Sequence, residues 1–520
     1  MKKVLFFLAA GGVIIGGWLL LKGKKSRRPP EKVVAWVGKS PITASEFKYS
    51  YEFAVVPPVQ GGKNARRAYL DYMIKERLLA LDGAAHGFDH SEYVERRSKF
   101  REYNDLLEAF YAKYVHGRVK IPEKKLEDAL KKSTVTFKLR IWPCKNKQEA
   151  EKARAAAQHI GLKRYIQNQL KKREMHLTDE RHFETEYLDF LDVRPEILNG
   201  IKDLQVGEIS KPLPFDNGYA LFQVVDFRRA SITTEELKHG VKRKRMENRL
   251  HDIQADKIVR TLMDSVLTPM KIRVKGDVFE ALAPPLYEWI QAKLPFGTPI
   301  IKAVENPDTS KKYLVQINHL LDKTLVTYQG GKKTVRDYIN YMDYFRRHLK
   351  HHRDLEEFKK ALATEIGRMM KNDAFVSIAR HDGFEDSASV AEDLKEWKSK
   401  WTYEAYRRYL VRNIKVTDAE VKAFFKKNWR SLGVADVDTT QFENYKIEAY
   451  NELLHQKQIA FLDKKIKELK AKYPVRVNEK ILDSLDLPEG KNHRSFSFLV
   501  LKRFSGQMVF PSVDPNWVSF

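Results

Sequence analysis

Residues 69–79 read Tyr69-Leu-Asp-Tyr-Met-Ile-Lys-Glu-Arg-Leu-Leu79, and the run closes soon after on His86-Gly87-Phe88. Tyr69, Leu70, Met73, Ile74, Leu78, Leu79 and Leu81 recur at spacings that place them on one broad face. A helix near 65–86 therefore buries that apolar face and stops on a glycine cap. Sliding the chain by 296 positions sets Leu70, Met73, Ile74, Leu79, Gly87 and Phe88 on Ile366, Met369, Met370, Phe375, Gly383 and Phe384. The register holds through Glu108-Ala-Phe110 against Glu404-Ala-Tyr406. It then slips by one residue, where Val119-Lys-Ile121 meets Ile414-Lys-Val416. Farther on, Lys271-Ile-Arg-Val-Lys-Gly-Asp-Val-Phe-Glu-Ala-Leu282 matches Pro474-Val-Arg-Val-Asn-Glu-Lys-Ile-Leu-Asp-Ser-Leu485 at an offset of 203. The chain is thus a duplicated module. Its first copy holds about 93 extra residues (296 minus 203), near 134–230, the size of one small domain.

Each copy follows one plan. A short strand (Val33–Val37, or Leu325–Tyr328) leads through a turn to a helix. In the first copy that helix has Thr43 as N-cap and Glu46 closing a capping box. Longer helices follow near 91–115 and 387–412, then a shorter one that Pro122 opens in the first copy. A long charged helix (about 233–267, or 440–472) ends each copy, followed by the strand Ile272-Arg-Val274 or Val475-Arg-Val477. Strands at both ends of a module suit a small sheet that joins its own termini.

This order of elements resembles the N-terminal chaperone domain of SurA- and PpiD-type periplasmic foldases. The likeness rests on Pro41-Ile-Thr-x-x-Glu-Phe47, then Tyr69–Leu79 and the closing Gly-Phe. It covers about 33–282, and 325–485 as a second copy without the insertion. In that family a parvulin-type prolyl isomerase interrupts the helical module. Residues 134–230 fit: Thr136–Ile141 reads as a strand and Lys147–His159 as a helix with Ala150, Ala153 and Ala157 inward. Leu204-x-Val-Gly-Glu-Ile-Ser-x-Pro212, followed by Gly218-Tyr219 and the strand to Asp226, is similar to the parvulin C-terminal half. The resemblance implies a histidine in the first strand, another in the last and a central Cys or Asp. Arg140 and Ala220 stand at the histidine positions, and Asp189 or Asp192 approximates the acid. Binding without turnover is the expectation, with Leu139, Ile141, Tyr219 and Phe222 lining the peptide cleft. An active isomerase that uses Asp189 is the alternative.

Composition narrows the other classes. The 520 residues are 43% hydrophobic, 11% aromatic and 32% charged, which argues for folded structure. The net charge of +26 comes from 95 Lys+Arg, but 69 acidic residues are interleaved. That is the pattern of solvated helix faces near anionic lipid or acidic clients, not of nucleic-acid binding. Residues 4–21 carry no charge and as a helix span about 27 Å, enough for a bilayer core. They are read as an uncleaved anchor, and Gly12-x-x-x-Gly16 offers a packing face for a homodimer. The resemblance then implies a single-pass inner-membrane protein with its body in the periplasm. Cys144 is the single cysteine, so no intrachain disulfide forms. No P-loop, Gly-x-Ser-x-Gly, Cys-x-x-Cys or His-Glu-x-x-His occurs, and His348, His351 and His352 read as solvated. No cofactor and no metal are expected.

The expected fold class is α+β, mainly α. Its parts are an anchor and linker (1–32), a first module (33–133 plus 231–283) and the insert (134–230). A connector (284–324), a second module (325–485) and a tail (486–520) follow. The partners expected are unfolded or envelope polypeptides. A structural subunit of an envelope assembly, docking through the tail, is the remaining alternative.

Overall fold

A computed structural model describes residues 32–52, 62–172, 180–216, 218–231, 240–292, 299–344, 352–432, 442–487, 510–511 and 513. In chain order the strands and helices begin with β1 (Val33–Val37), β2 (Ser40–Thr43), α1 (Ala44–Glu52), α2 (Lys63–Ala85), α3 (Glu92–Tyr114) and α4 (Glu123–Lys132). The insert adds β3 (Val135–Cys144), α5 (Lys147–Ile160), α6 (Leu162–Lys172), α7 (Pro195–Ile201), β4 (Leu213–Phe215) and β5 (Gly218–Arg229). Then come α8 (Val241–Met270), β6 (Arg273–Val274), α9 (Gly276–Gln291), α10 (Ile300–Glu305) and α11 (Lys312–Leu320). The second copy runs through β7 (Thr324–Tyr328), β8 (Gly331–Thr334), α12 (Val335–Tyr344), α13 (Leu355–His381), α14 (Ala388–Val411) and α15 (Asp418–Asn428). It ends with α16 (Phe442–Lys472), β9 (Val475–Val477) and α17 (Glu479–Asp483). The class is α+β and mainly helical.

The chain divides into two compact units, Val115–Thr261 and a helical body built from the described residues up to Tyr114 and from Leu262 onward. The first is wider than the insert read from the sequence. Leu126, Ala129 and Leu130 of α4 share a cluster with Met246 and Leu250 of α8 and with Phe190 and Leu191 of the insert, so α4 and the part of α8 up to Thr261 belong to that unit.

In the body the two copies exchange their ends. Strand β1 pairs with its hairpin partner β2 and, on its other edge, with β9 of the second copy (Trp36↔Arg476). Strand β6 of the first copy pairs with β7 of the second (Arg273↔Thr327), whose hairpin partner is β8. The sheet expected to join the ends of one copy therefore joins the opening of each copy to the close of the other. The cores follow suit. One gathers Val34, Ile42, Phe47, Leu70 and Leu79 of the first copy with Tyr403, Tyr406, Leu462, Ile466 and Leu482 of the second. The other joins Leu282, Leu286 and Trp289 with Leu325, Tyr338, Phe358 and Met369.

Helix packing shows the same exchange. Helix α2 lies so close to α14 that a Cβ on Gly83 would stand 2.9 Å from Tyr406 Cβ. The matching contact of α13 and α3 stacks Phe110 on Phe375 with ring centroids 4.2 Å apart. Each long helix (α2, α13) ends at a left-handed glycine, Gly87 (φ 79°) or Gly383 (φ 71°). Where α3 crosses α14, Arg101 is 1% exposed and grips Asp393 with Nε at 2.6 Å and Nη2 at 2.9 Å. Its guanidinium lies 4.9 Å from the Trp397 ring centroid. At the offset of 296, Arg101 corresponds to Trp397 and Arg97 to Asp393. Arg101 and Trp397, which touch, are thus each other's image, and their contact marks a pseudo-two-fold crossing.

Asp82 of α2, with 1% of its side chain exposed, also ties the copies together. It accepts from Tyr406 Oη at 2.7 Å and Lys472 Nζ at 2.8 Å, and pairs with Lys465 at 3.2 Å. Burial pushes its carboxyl up, but Lys472, Tyr406 and Lys465 outweigh that and hold it below the ordinary aspartate value. A lowered native pKa contributes stability above the unfolded value of about 4, and that stability is lost as pH falls through the native value. Asp82→Asn is expected to cost about 1.5–3 kcal/mol at pH 7 and to flatten the acid limb of a urea-stability series. An unchanged acid limb would contradict the assignment.

The expected placement as a single-pass inner-membrane protein is corrected. Among the described residues no helix is long and apolar enough to cross a membrane, and residues 4–21, which carried that expectation, lie outside them. Most of the tail also lies outside the described residues, but Val513 is buried in the body core beside Leu487.

Candidate functional site

The insert sheet runs in the order β3-β5-β4. Strands β3 and β5 pair antiparallel with Leu139↔Val224, Arg140↔Gln223, Ile141↔Phe222 and Pro143↔Ala220. A register shift between Lys138 and Leu139 fixes which side chains share a face beyond it. Leu139, Ala220, Phe222 and Val224 pack together against Ile197 and Ile201 of α7. Trp142, Cys144 and Leu221 pack on the other side against α5 and α6, where Ala150, Ala153 and Ala157 are buried as the helix spacing requires. Helix α5 starts where Asn146 Oδ1 accepts from Glu149 N at 2.9 Å, a side-chain cap of its first turn. The first residue of β5 is a glycine, Gly218, where a Cβ would collide with the Cys144 carbonyl oxygen.

Arg140 and Ala220 therefore lie on opposite faces of the sheet and do not converge. Arg140 is buried beside Gln223, to whose Oε1 its Nη1 donates at 2.5 Å, and it pairs with Glu184. Gln223 passes the network on by donating to the Gly207 carbonyl at 2.7 Å, and Lys138 holds the other Glu184 oxygen at 2.7 Å. Burial pushes the Glu184 carboxyl up, yet Lys138 and Arg140 outweigh it and keep it below the ordinary glutamate value. Ala220 has no exposed surface, and its methyl group offers neither a donor nor an acceptor. Of the other residues expected to line a cleft, Leu139 and Phe222 are fully covered and Ile141 is half-buried on the same face. Tyr219 packs on the opposite face.

Asp189 and Asp192 stand apart from that face. Arg249 of α8 donates to both, Nη1 to Asp189 at 2.6 Å and Nη2 to Asp192 at 2.7 Å. Asp189 also accepts from Leu191 N, and Asp192 from Asp189 N, each at 2.8 Å. A small cavity of about 50 Å³ adjoins this contact, lined by Ser133, Asp189, Lys242, Arg245, Met246 and Arg249. With its carboxylate held by a guanidinium, Asp189 closes a loop onto α8.

Sequence reading passed over Glu184, Gln223 and Arg249. Gln223 did leave a signal, as one polar residue inside the apolar run Leu221–Val225. His348 and His351 lie outside the described residues. The carbonyl of His352 accepts from Tyr287 and Gln291. Among the described residues no group of three or more His, Cys, Asp or Glu is placed to hold a metal ion.

No protein-family model matches the chain, and no curated protein matches it. Two solved structures of Peptidylprolyl Isomerase (PrsA) are similar to it. The Bacillus anthracis protein aligns over 38% of this chain and 96% of its own, at 13% identity and a TM-score of 0.20. The Bacillus cereus protein aligns over 46% of this chain and 93% of its own, at 16% identity and a TM-score of 0.20. These solved structures are PrsA isomerases and do not extend to the SurA- and PpiD-type assignment.

Restoring one histidine tests the closed face. Ala220→His must push a ring into the contact with Ile197 and Ile201, an overpacking cost of about 1–3 kcal/mol. The expected result is a lower melting temperature and no prolyl isomerisation. Turnover gained by this single change would show that the face opens.

Proposed function

We propose that the chain is a chaperone-like polypeptide-binding protein whose parvulin-like insert grips extended segments without isomerising them. The observation that carries the reading is the insert's apolar sheet face, closed by α7 over Ala220, while Arg140 is committed to Glu184 and Gln223 on the other side. Lowering the roughly 20 kcal/mol barrier to amide rotation calls for polar groups aimed at the prolyl peptide. This face presents methyl and phenyl groups instead. A client segment would run along its half-buried rim, Ile141 and Phe215, and not over the covered Leu139 and Phe222. The helical body adds exposed aromatics, Tyr49 and Tyr409, that supply contact area to unfolded chains.

Two assays on the full chain test this. Suppression of aggregation of a denatured client is expected, with no acceleration in a protease-free prolyl-isomerisation assay. Turnover that vanishes on Asp189→Ala would replace the reading with that of an active isomerase. Failure to suppress aggregation at stoichiometric excess would remove the chaperone reading.

A further inference from the structure

Helix α16 carries an apolar seam that joins none of the buried clusters. Its packed side is Phe442 and Ala449 in one cluster and Leu462, Ile466 and Leu469 in another. Away from these, Ile447 is 72% exposed, Phe461 42% and Tyr450 38%, with half-buried Leu454 between them. At 100° per residue, positions 447, 450, 454 and 461 fall within about 60° of arc, and they span about 21 Å of helix. The repeat does not require this. At the offset of 203 the first copy has Lys244, Glu247, His251 and Ile258 at the matching positions of α8.

We infer that this seam pairs with the same seam of a second copy of the chain, antiparallel and centred on Leu454. Its spacing is symmetric about that residue: Ile447 and Phe461 lie seven positions to either side, and Tyr450 and Gln458 lie four. A two-fold contact requires that symmetry, because residue i must meet j while j meets i. Leu454 then meets its own image, Ile447 packs on Phe461, and the Tyr450 hydroxyl faces the Gln458 amide. Charge agrees with the antiparallel sense. Glu443 extends the line eleven positions before Leu454; Lys465, eleven after, is turned to Asp82, and the adjacent Lys464 is left to set its ammonium against that carboxylate. Lys446 and Lys457, which border the seam, are already paired with Asp418 and Glu420 of α15 at 3.1 and 2.6 Å. A seam of this length covers less than the roughly 800 Å² per partner of a standard stable interface. The pairing is therefore weak and concentration-dependent.

Cysteine trapping on the full chain decides the matter, with buried Cys144 replaced by serine. Leu454→Cys is expected to give a disulfide-linked dimer under mild oxidation. Ile447→Cys and Phe461→Cys should crosslink efficiently only when mixed with each other. Ile447→Glu should remove association in sedimentation without changing the melting temperature, because the side chain is exposed. A Leu454→Cys protein that stays monomeric overturns the inference, as does self-crosslinking of Ile447→Cys equal to that of the mixture. If a denatured client shields the thiol of the Leu454→Cys protein from a thiol reagent and no dimer forms, the seam belongs to clients and the inference is equally overturned.

Discussion

Replacing Arg101 by alanine is expected to destabilise the helical body by about 3–5 kcal/mol, the cost of breaking a buried ion pair from one side. That is a large share of the roughly 5–15 kcal/mol of a typical folded protein. The guanidinium holds Asp393 with two hydrogen bonds and stands 3.4 Å from Asp105, and both carboxylates are buried. Without it two negative charges remain inside the α3–α14 crossing, and the ring of Trp397 loses its cation. Arg101→Lys should recover only part of the loss, because an ammonium cannot reproduce the planar fork. Removing Asp393 as well should give a double mutant less unstable than the sum of the single changes. Urea unfolding followed by circular dichroism measures all three. A loss below about 1 kcal/mol for Arg101→Ala would mean that the crossing is solvated.

Cutting the chain between its copies should leave them together. With a protease site placed between Ala292 and Pro299 and cleaved, the two fragments are expected to co-elute under native conditions and to part only in denaturant. Each core draws residues from both sides of that cut. Val34, Leu70 and Leu79 pack with Tyr406, Leu462 and Leu482, and the α3 ring Phe110 stacks on Phe375 of α13. Neither fragment can bury its apolar faces alone. Two self-contained modules joined by a connector would instead separate on a sizing column.

Local features were legible in the sequence because local physics sets them. The spacing of Ala150, Ala153 and Ala157 showed their buried face, and Gly87 and Gly383 marked the ends of the matching helices. The capping box at Thr43 was half right. Glu46 N donates to Thr43 Oγ1 at 3.1 Å, but the Glu46 carboxylate turns to Arg77 at 2.5 Å. A complete box forms at Thr417 and Glu420. The exchange of ends was not legible. Ile272-Arg-Val274 and Val475-Arg-Val477 carry the same apolar-Arg-apolar pattern, so either strand suits either hairpin, and tertiary packing makes the choice.

The site was harder for a related reason. Carrying two histidine positions over by resemblance set Arg140 and Ala220 over one cleft. Strand alternation beyond the Lys138–Leu139 shift sends their side chains to opposite faces. Arg101, in a helix rich in charge, is buried because its partner arrives from 292 residues away, a contact no local pattern shows.

The exchange of ends between the two copies is tested most directly by engineered disulfides in a Cys144→Ser background. Trp36 and Arg476 are direct cross-strand partners, and such pairs lie within the Cα separation that a disulfide spans. The Trp36→Cys, Arg476→Cys protein should oxidise to an intrachain disulfide that runs as a monomer on a non-reducing gel. The Trp36→Cys, Arg273→Cys protein, which links the two ends of the first copy, should remain reduced. The reverse outcome would mean that each copy closes on itself.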